Sequence, residues 1–457
     1  MPQNRRSFLA AAAALAATPG AGLSAPRAPR QKPNFIVVMC DDLGYGDIGA
    51  FGGPIPTPHL DRLAASGTAM TDFYAAANLC TPSRAGLLTG RYPIRTGLAR
   101  GVIMQNDPRG LPLAEVTMAE ALKPDYATAL IGKWHLGHSG PSWPPTRHGF
   151  DLFFGLPYSH DMLPLSLYEA SADAAPARED LDYPQLQQRF CQRAERFITE
   201  NAARPFLLNL WLSAPHLPNF PDARHDGRTE FGLYGDTVAE IDDIVGRLSA
   251  LLARLGLTRD TLVVFTSDNG PWFEGSAGRL RARKGGAAYD GGYRVPFIAS
   301  RPGTVRAGQR TPAIGMGVDL LPTFCAMAGR PPPAGVEIDG RDLTATLTHG
   351  APSPHDELLL FNDEDVVAVR TQRWKYVAAD HYRGTVLDIR DDGYPQLYDM
   401  AHDPGETYSL AARQPQALHE MTARLARARA RFEPLRKGPS GIVSRPGPRA
   451  VPEVFRD

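Results

Sequence analysis

The chain is 457 residues long and carries 49 Lys and Arg against 49 Asp and Glu, a formal net charge of zero with histidine neutral. That balance excludes a global field drawing the protein onto nucleic acid or an acidic membrane surface, so selectivity for anions must come from local placement of Lys, Arg and His. The length allows one large core plus a smaller second domain. Four scattered cysteines (Cys40, Cys80, Cys191, Cys325) are too few for a disulfide scaffold or a CxxC zinc site, and the sequence leaves open whether Cys191 pairs with Cys325.

The N-terminus reads as an address. Asn4-Arg5-Arg6-Ser7-Phe8-Leu9 precedes an Ala-rich, mildly apolar stretch running to Leu23-Ser24-Ala25, a small-residue cleavage pattern. This run resembles a bacterial twin-arginine export signal, which implies the twin-arginine machinery as a partner and a periplasmic or secreted destination. It is too short and too weakly apolar to cross a bilayer well, and no membrane-length apolar run follows. Residues 1–32 are therefore read as export signal and linker.

Residues 35–39 form a continuous apolar run, the mark of a strand covered on both faces. The run stops abruptly at Cys40-Asp41-Asp42-Leu43-Gly44-Tyr45-Gly46-Asp47. Similar runs occupy 127–131, 206–212 and 262–266, with a weaker one at 297–299. Helix-period segments lie between them, including 59–66 and 234–255. Alternation of this kind predicts an α/β fold with helices on both faces of a sheet. The conspicuous polar residues follow strands, where open α/β sheets place their sites. Past about residue 345, short strands at 357–361, 366–370, 374–378 and 396–398 predict a small antiparallel sheet. An amphipathic helix over 415–432, with Leu418, Met421 and Leu425 on one face, is expected to pack on it. The expected division is a catalytic α/β domain over 33–345, a small α+β subdomain over 346–437 and an irregular Pro/Gly/Arg-rich tail over 438–457.

One stretch carries more chemistry than the rest: Cys80-Thr81-Pro82-Ser83-Arg84-Ala85-Gly86-Leu87-Leu88-Thr89-Gly90-Arg91. Pro82 suits a first helical position and Gly90 a helix exit. Residue 80 is thus expected at a helix N-terminus, where unpaired N–H groups favour an oxyanion. Asp41-Asp42 and Asp268-Asn269 each end a strand; three carboxylates and an amide oxygen are hard ligands suited to Ca²⁺ or Mg²⁺. Gly132-Lys133-Trp134-His135-Leu136-Gly137, Ser213-Ala214-Pro215-His216 and Arg281-Ala282-Arg283-Lys284-Gly285-Gly286 add cations and imidazoles, with Arg281 and Arg283 read as solvated charges.

Together these motifs resemble the type I, formylglycine-dependent sulfatases, on the arylsulfatase A and N-acetylgalactosamine-6-sulfatase branch, over about residues 33–412. The resemblance implies an alkaline phosphatase-like fold: a large mixed sheet between helices, with a smaller C-terminal antiparallel sheet and helix. It implies that a formylglycine-generating enzyme oxidises Cys80 on the unfolded chain. Asp41, Asp42, residue 80, Asp268 and Asn269 would hold the metal, Ca²⁺ with Mg²⁺ as the alternative. Arg84, Lys133 and Lys284 would offset sulfate charge, and Asp268 would assist the nucleophile. His216 with Lys284 would protonate the leaving oxygen, and His135 would take the proton that frees sulfate. Ser159, in Gly155-Leu156-Pro157-Tyr158-Ser159-His160-Asp161, would line the substrate pocket, with His160 a weaker candidate. The implied activity releases inorganic sulfate and an alcohol from a sulfated small molecule or glycan. Two readings compete with it: a phosphonate or phosphate diester hydrolase on the same scaffold, and a non-catalytic sulfoglycan-binding protein with Cys80 left as a thiol.

Overall fold

The structure is a computed structural model that describes residues 32–286, 288–378 and 395–438; the arginine-bearing N-terminal run and the tail from 439 lie outside the described residues. Ten strands form one mixed sheet. In chain order they are β1 (Asn34–Cys40), β2 (Thr68–Tyr74), β3 (Ala127–Lys133), β4 (Leu152–Leu156), β5 (Leu167–Ser171), β6 (Ala174–Glu179), β7 (Phe206–Trp211), β8 (Thr261–Ser267), β9 (Phe297–Ser300) and β10 (Gln309–Met316). Their order across the sheet is β10-β2-β9-β8-β1-β7-β3-β4-β5-β6.

The central strand shows why its sequence is apolar throughout. Side chains alternate across a strand, and both faces of β1 are covered. Ile36, Val38 and Cys40 join the core formed with helix α1 (Pro58–Ala65) and the helices Leu186–Glu200 and Gly232–Arg254. Phe35, Val37 and Met39 join the opposite core, with helix α2 (Cys80–Thr89) and the helix Leu320–Met327. The helices expected over 59–66 and 234–255 are present, shifted by one or two residues at their ends.

A second, antiparallel sheet has the order β11 (Leu358–Asn362), β12 (Asp365–Arg370), β13 (Trp374–Val377) and β14 (Gln396–Asp399). The helix Pro415–Phe432 packs on β12 and β13 through Met421, Leu425, Ala428 and Phe432, while Leu418 is only partly buried at the edge of that face. All four cysteines are buried and free, so Cys191 and Cys325 form no disulfide. Among the described residues no helix is long and apolar enough to cross a membrane.

Candidate active site

Five neighbouring strands, β8-β1-β7-β3-β4, run parallel, so their carboxyl ends open on one edge of the sheet. That edge collects the candidates. Asp41 and Asp42 follow β1, Asp268 and Asn269 follow β8, Lys133 ends β3 with His135 just past it, His216 lies beyond β7, and Ser159 beyond β4. Helix α2 supplies Cys80 and Arg84, and Lys284 comes from a loop.

Two backbone kinks make this convergence work. Strand alternation would send adjacent Asp41 and Asp42 to opposite faces. Asp42 instead adopts left-handed backbone (φ 66°), as does His135 (φ 60°), a conformation that costs a non-glycine residue on the order of 1–3 kcal/mol. The Asp42 turn is held by its own N–H donating to Asp268 Oδ1 (3.2 Å) and by Leu43 N–H donating to Ser267 Oγ (3.0 Å). Helix α2 begins at Cys80 itself, so Pro82 occupies the third helical position rather than the first. The displacement is harmless, because amides throughout the first turn lack intrahelical partners. Gly90 closes the helix in left-handed conformation (φ 69°).

Ligand atoms of Asp41, Asp42, Cys80 and Asp268 all lie within 4.8 Å of one another, and all four residues are buried. The Cys80 thiol is 3.5 Å from Asp41 Oδ1. Asn269 Nδ2 donates to Asp42 Oδ1 (2.7 Å), which leaves Asn269 Oδ1 buried without a hydrogen-bond partner. Cations surround the carboxylates. Arg84 Nε donates to Asp268 Oδ2 (2.9 Å) and its Nη1 to Lys133 O (2.7 Å), over the Trp211 ring. Lys133 pairs with Asp41, and Lys284 Nζ lies 2.7 Å from Asp42 Oδ2. Three buried carboxylates, an orphaned amide oxygen and no nitrogen ligand form a hard donor set, and they fit a divalent cation of the Ca²⁺ class.

Burial pushes the Asp41 carboxyl up, but Lys133, His216 and Arg84 outweigh it and hold that carboxyl well below the ordinary value. At Asp268 burial wins over Arg84, and the carboxyl is raised. Burial also raises the Cys80 thiol, against Lys133 and Lys284, so this sulfur is a neutral thiol rather than a thiolate nucleophile. Burial, then Lys133 and Arg84, hold His135 well below its usual value and keep it neutral. Its Nε2 lies 2.8 Å from Ile103 O. A carbonyl only accepts, so Nε2 carries the hydrogen and Nδ1, which has no partner, presents a lone pair. By the same logic His216 Nδ1, 2.6 Å from Leu217 O, carries hydrogen, and Nε2 faces Asp42 Oδ2 at 3.7 Å.

Ser159 and His160 are buried. The His160 ring stands perpendicular to His216, centroids 5.5 Å apart, and burial followed by His216 pulls it down to about 4. Sequence reasoning missed Thr81, whose hydroxyl donates to His135 O (2.9 Å) and accepts from Ile103 N–H (3.1 Å), tying the histidine turn to α2. The two arginines read as solvated charges are exposed (Arg281) and half-exposed (Arg283), and each also holds partners that the sequence did not reveal. Arg283 donates to Trp272 O (2.9 Å) and Gly275 O (2.5 Å), and Arg281 to the Tyr398 hydroxyl (3.1 Å) and Glu406 O (3.0 Å). Arg281's partners lie more than a hundred residues onward, beyond any local signal.

A family model described as Sulfatase matches residues 33–330. The chain belongs to the sulfatase family. It is 38% identical to arylsulfatase A of Homo sapiens over 435 residues, 85% of each chain. It is 39% identical to N-acetylgalactosamine-6-sulfatase of Rattus norvegicus over 439 residues, 85% of this chain and 83% of that one. The crystal structure of PsFucS1 sulfatase from Pseudoalteromonas sp. superposes with a TM-score of 0.77 at 30% identity, covering 88% of this chain and 91% of that one. The chain is thus a sulfuric ester hydrolase, and the large mixed sheet with its small antiparallel companion is the sulfatase fold.

Proposed function

We propose that this sulfatase hydrolyses sulfate monoesters of aryl alcohols or sugars through an oxidised side chain at position 80, beside a Ca²⁺ ion. The observation that carries the reading is the placement of Cys80, at the start of a buried helix, inside a shell of Asp41, Asp42 and Asp268 flanked by Arg84, Lys133 and Lys284.

Asp41, Asp42, Asp268 and Asn269 would hold the ion, which supplies Lewis-acid polarisation of oxygens near it. Oxidation of Cys80 to Cα-formylglycine supplies, in the hydrated aldehyde, one hydroxyl to attack sulfur and a second through which sulfate is later expelled. The protein's own groups do the rest. Arg84, Lys133 and Lys284 offset the charge on the sulfate oxygens in a water-poor pocket, where such contacts act most strongly. Asp268, whose ligand oxygen lies within 4.8 Å of residue 80, would receive the proton of the attacking hydroxyl. His216, in its imidazolium form and aimed at the cluster by the Nδ1 bond to Leu217 O, would hand its Nε2 proton to the bridging oxygen as the S–O bond breaks. His135 Nδ1 accepts the proton released when sulfate departs. The sum is ester plus water giving alcohol plus sulfate. Ser159 and His160 would face the alcohol portion.

The test is the mass of the peptide bearing residue 80 in active protein from a bacterial host. Replacement of CH₂SH by an aldehyde lowers that mass; an unmodified thiol in fully active protein overturns the reading. Faster turnover of an aryl phosphonate than of an aryl sulfate would overturn the assignment of substrate. We also propose a periplasmic or secreted location, supported by Arg5-Arg6 and the Ala-rich stretch behind them. Changing both arginines to lysine should leave the protein in the cytoplasmic fraction.

A further inference from the structure

Lys133 ends a central strand, whereas Lys284 sits on a loop and needs another source of rigidity. Part of it is local. Lys284 N–H donates to Pro271 O (3.0 Å), Gly285 N–H to Asn78 O (2.9 Å), and Asn78 Nδ2 to Gly286 O (2.6 Å). These bonds tie the loop to the segment after Asn269 and to the turn before Cys80. Gly270 N–H donates to Gly292 O (2.9 Å), and a Cβ at Gly270 would lie 1.9 Å from Gly291 O, so the two backbones touch. Gly291 N–H in turn donates to Arg281 O (2.7 Å).

The remaining restraint comes from the small sheet. Asp290, fully buried, opens the helical turn Asp290–Tyr293. Lys375 of β13 places Nζ 2.6 Å from Asp290 Oδ1 and 2.6 Å from Glu406 Oε1, and Glu406 Oε2 accepts from Asp290 N–H (2.7 Å). Arg294 bridges Asp290 (3.2 Å) and Asp72 of β2 (3.1 Å). Arg370 of β12 reaches Asp72 (2.8 Å) and the Tyr74 hydroxyl (3.0 Å), which donates to Asp290 Oδ2 (3.0 Å). Three acids meet three bases, with every residue nearly or wholly buried.

Such a network is a poor source of stability, since apolar side chains of similar volume often serve as well or better. Its distinguishing property is direction: each charge-assisted bond has one satisfactory geometry. We propose that Lys375 and Glu406 are positioning residues for the active site, acting through Asp290 and the Gly291–Arg281 backbone bond to hold residues 281–286 so that Lys284 Nζ meets Asp42 and the substrate sulfate. The inference rests on the assignment of Lys284 to the sulfate.

The test is a double-mutant cycle in the full-length, Ca²⁺-loaded protein carrying the oxidised residue 80. Lys375→Met and Glu406→Gln are each made alone and with Lys284→Ala. The readouts are kcat/KM for nitrophenyl sulfate and Kd for inorganic sulfate by calorimetry. Each variant alone should weaken sulfate binding and kcat/KM about tenfold, the scale of one charge-assisted bond. In the Lys284→Ala background neither should cost more than about twofold, because coupled residues are non-additive. Lys375→Arg should restore most of the activity lost in Lys375→Met. Equal losses in both backgrounds, or no loss in the single variants, overturn the proposal. Should Lys375→Met fail to fold, Glu406→Gln carries the test, since an amide keeps an acceptor for Asp290 N–H. Calorimetric sulfate binding reports the coupling even where turnover is absent, so failure of the hydrolase mechanism and failure of the clamp are told apart.

Discussion

Asp42 takes on three partners at once: Asn269 Nδ2, Lys284 Nζ and, at longer range, His216 Nε2. On the proposed metal assignment, Asp42→Asn should keep the turn but weaken Ca²⁺ binding at least tenfold by calorimetry, because one of the hard anionic ligands would become neutral. His216→Ala should slow sulfate esters of sugars or alkyl alcohols at least tenfold more than nitrophenyl sulfate, because a good leaving group needs no proton. Equal losses on both classes would remove His216 from that role. Residues of this kind were legible in the sequence because each sits at or just past a buried strand, in a motif a few residues long. Thr81, Arg281 and the Asp72–Arg294–Arg370 chain were not. Their roles are defined by partners tens to hundreds of residues away, as in the link between Arg370 and Asp72.

Among the elements, the continuous apolar strands β1, β3, β7 and β8 announced themselves, since a strand buried on both faces needs no polar alternation. Of the strands that escaped, three carry another burden in their composition. β2 (Thr68–Tyr74) includes Asp72, which is buried against Arg294 and Arg370 and breaks the apolar pattern. β5 and β6 form an outer hairpin with exposed and half-exposed residues, so polarity there reads as loop. The close stacking of β7, β3 and β4 was likewise unreadable, though it rests on identifiable residues. A Cβ at Gly132 would lie 1.8 Å from Trp211 O, and one at Gly155 would lie 1.8 Å from Gly132 O. Gly132 also has φ +114°, outside the range of L side chains. Gly132→Ala should therefore cost more than about 4 kcal/mol, or prevent folding, in urea denaturation. It should also misplace Lys133, the next residue, which anchors Asp41.

For the molecule as a whole, buried neutral histidines make one contribution to the loss of stability in acid. Burial, opposed by the Ser142 carbonyl, pulls His148 down to about 4, and His160 stands at about 4 as well. At these two histidines the folded state refuses protons that the unfolded chain accepts below its ordinary value of 6.5, so their contribution to stability is complete above that pH and is lost as pH drops toward 4. Each group accounts for about 2 kcal/mol of loss between pH 7 and pH 4.5. His148→Gln should reduce the loss by about that amount in denaturation midpoints at the two pH values. Another consequence comes from Cys80, which is only 2% exposed at the head of a helix buried along its whole length. On the proposed mechanism, the oxidising enzyme would have to act before folding encloses residue 80, so conversion and folding would compete for each newly made chain. Copies that fold too early would then be permanent blanks, correctly shaped and inert. Specific activity of a preparation would report a ratio of two rates, and slowing synthesis or supplying more oxidising enzyme should raise it without altering a single residue.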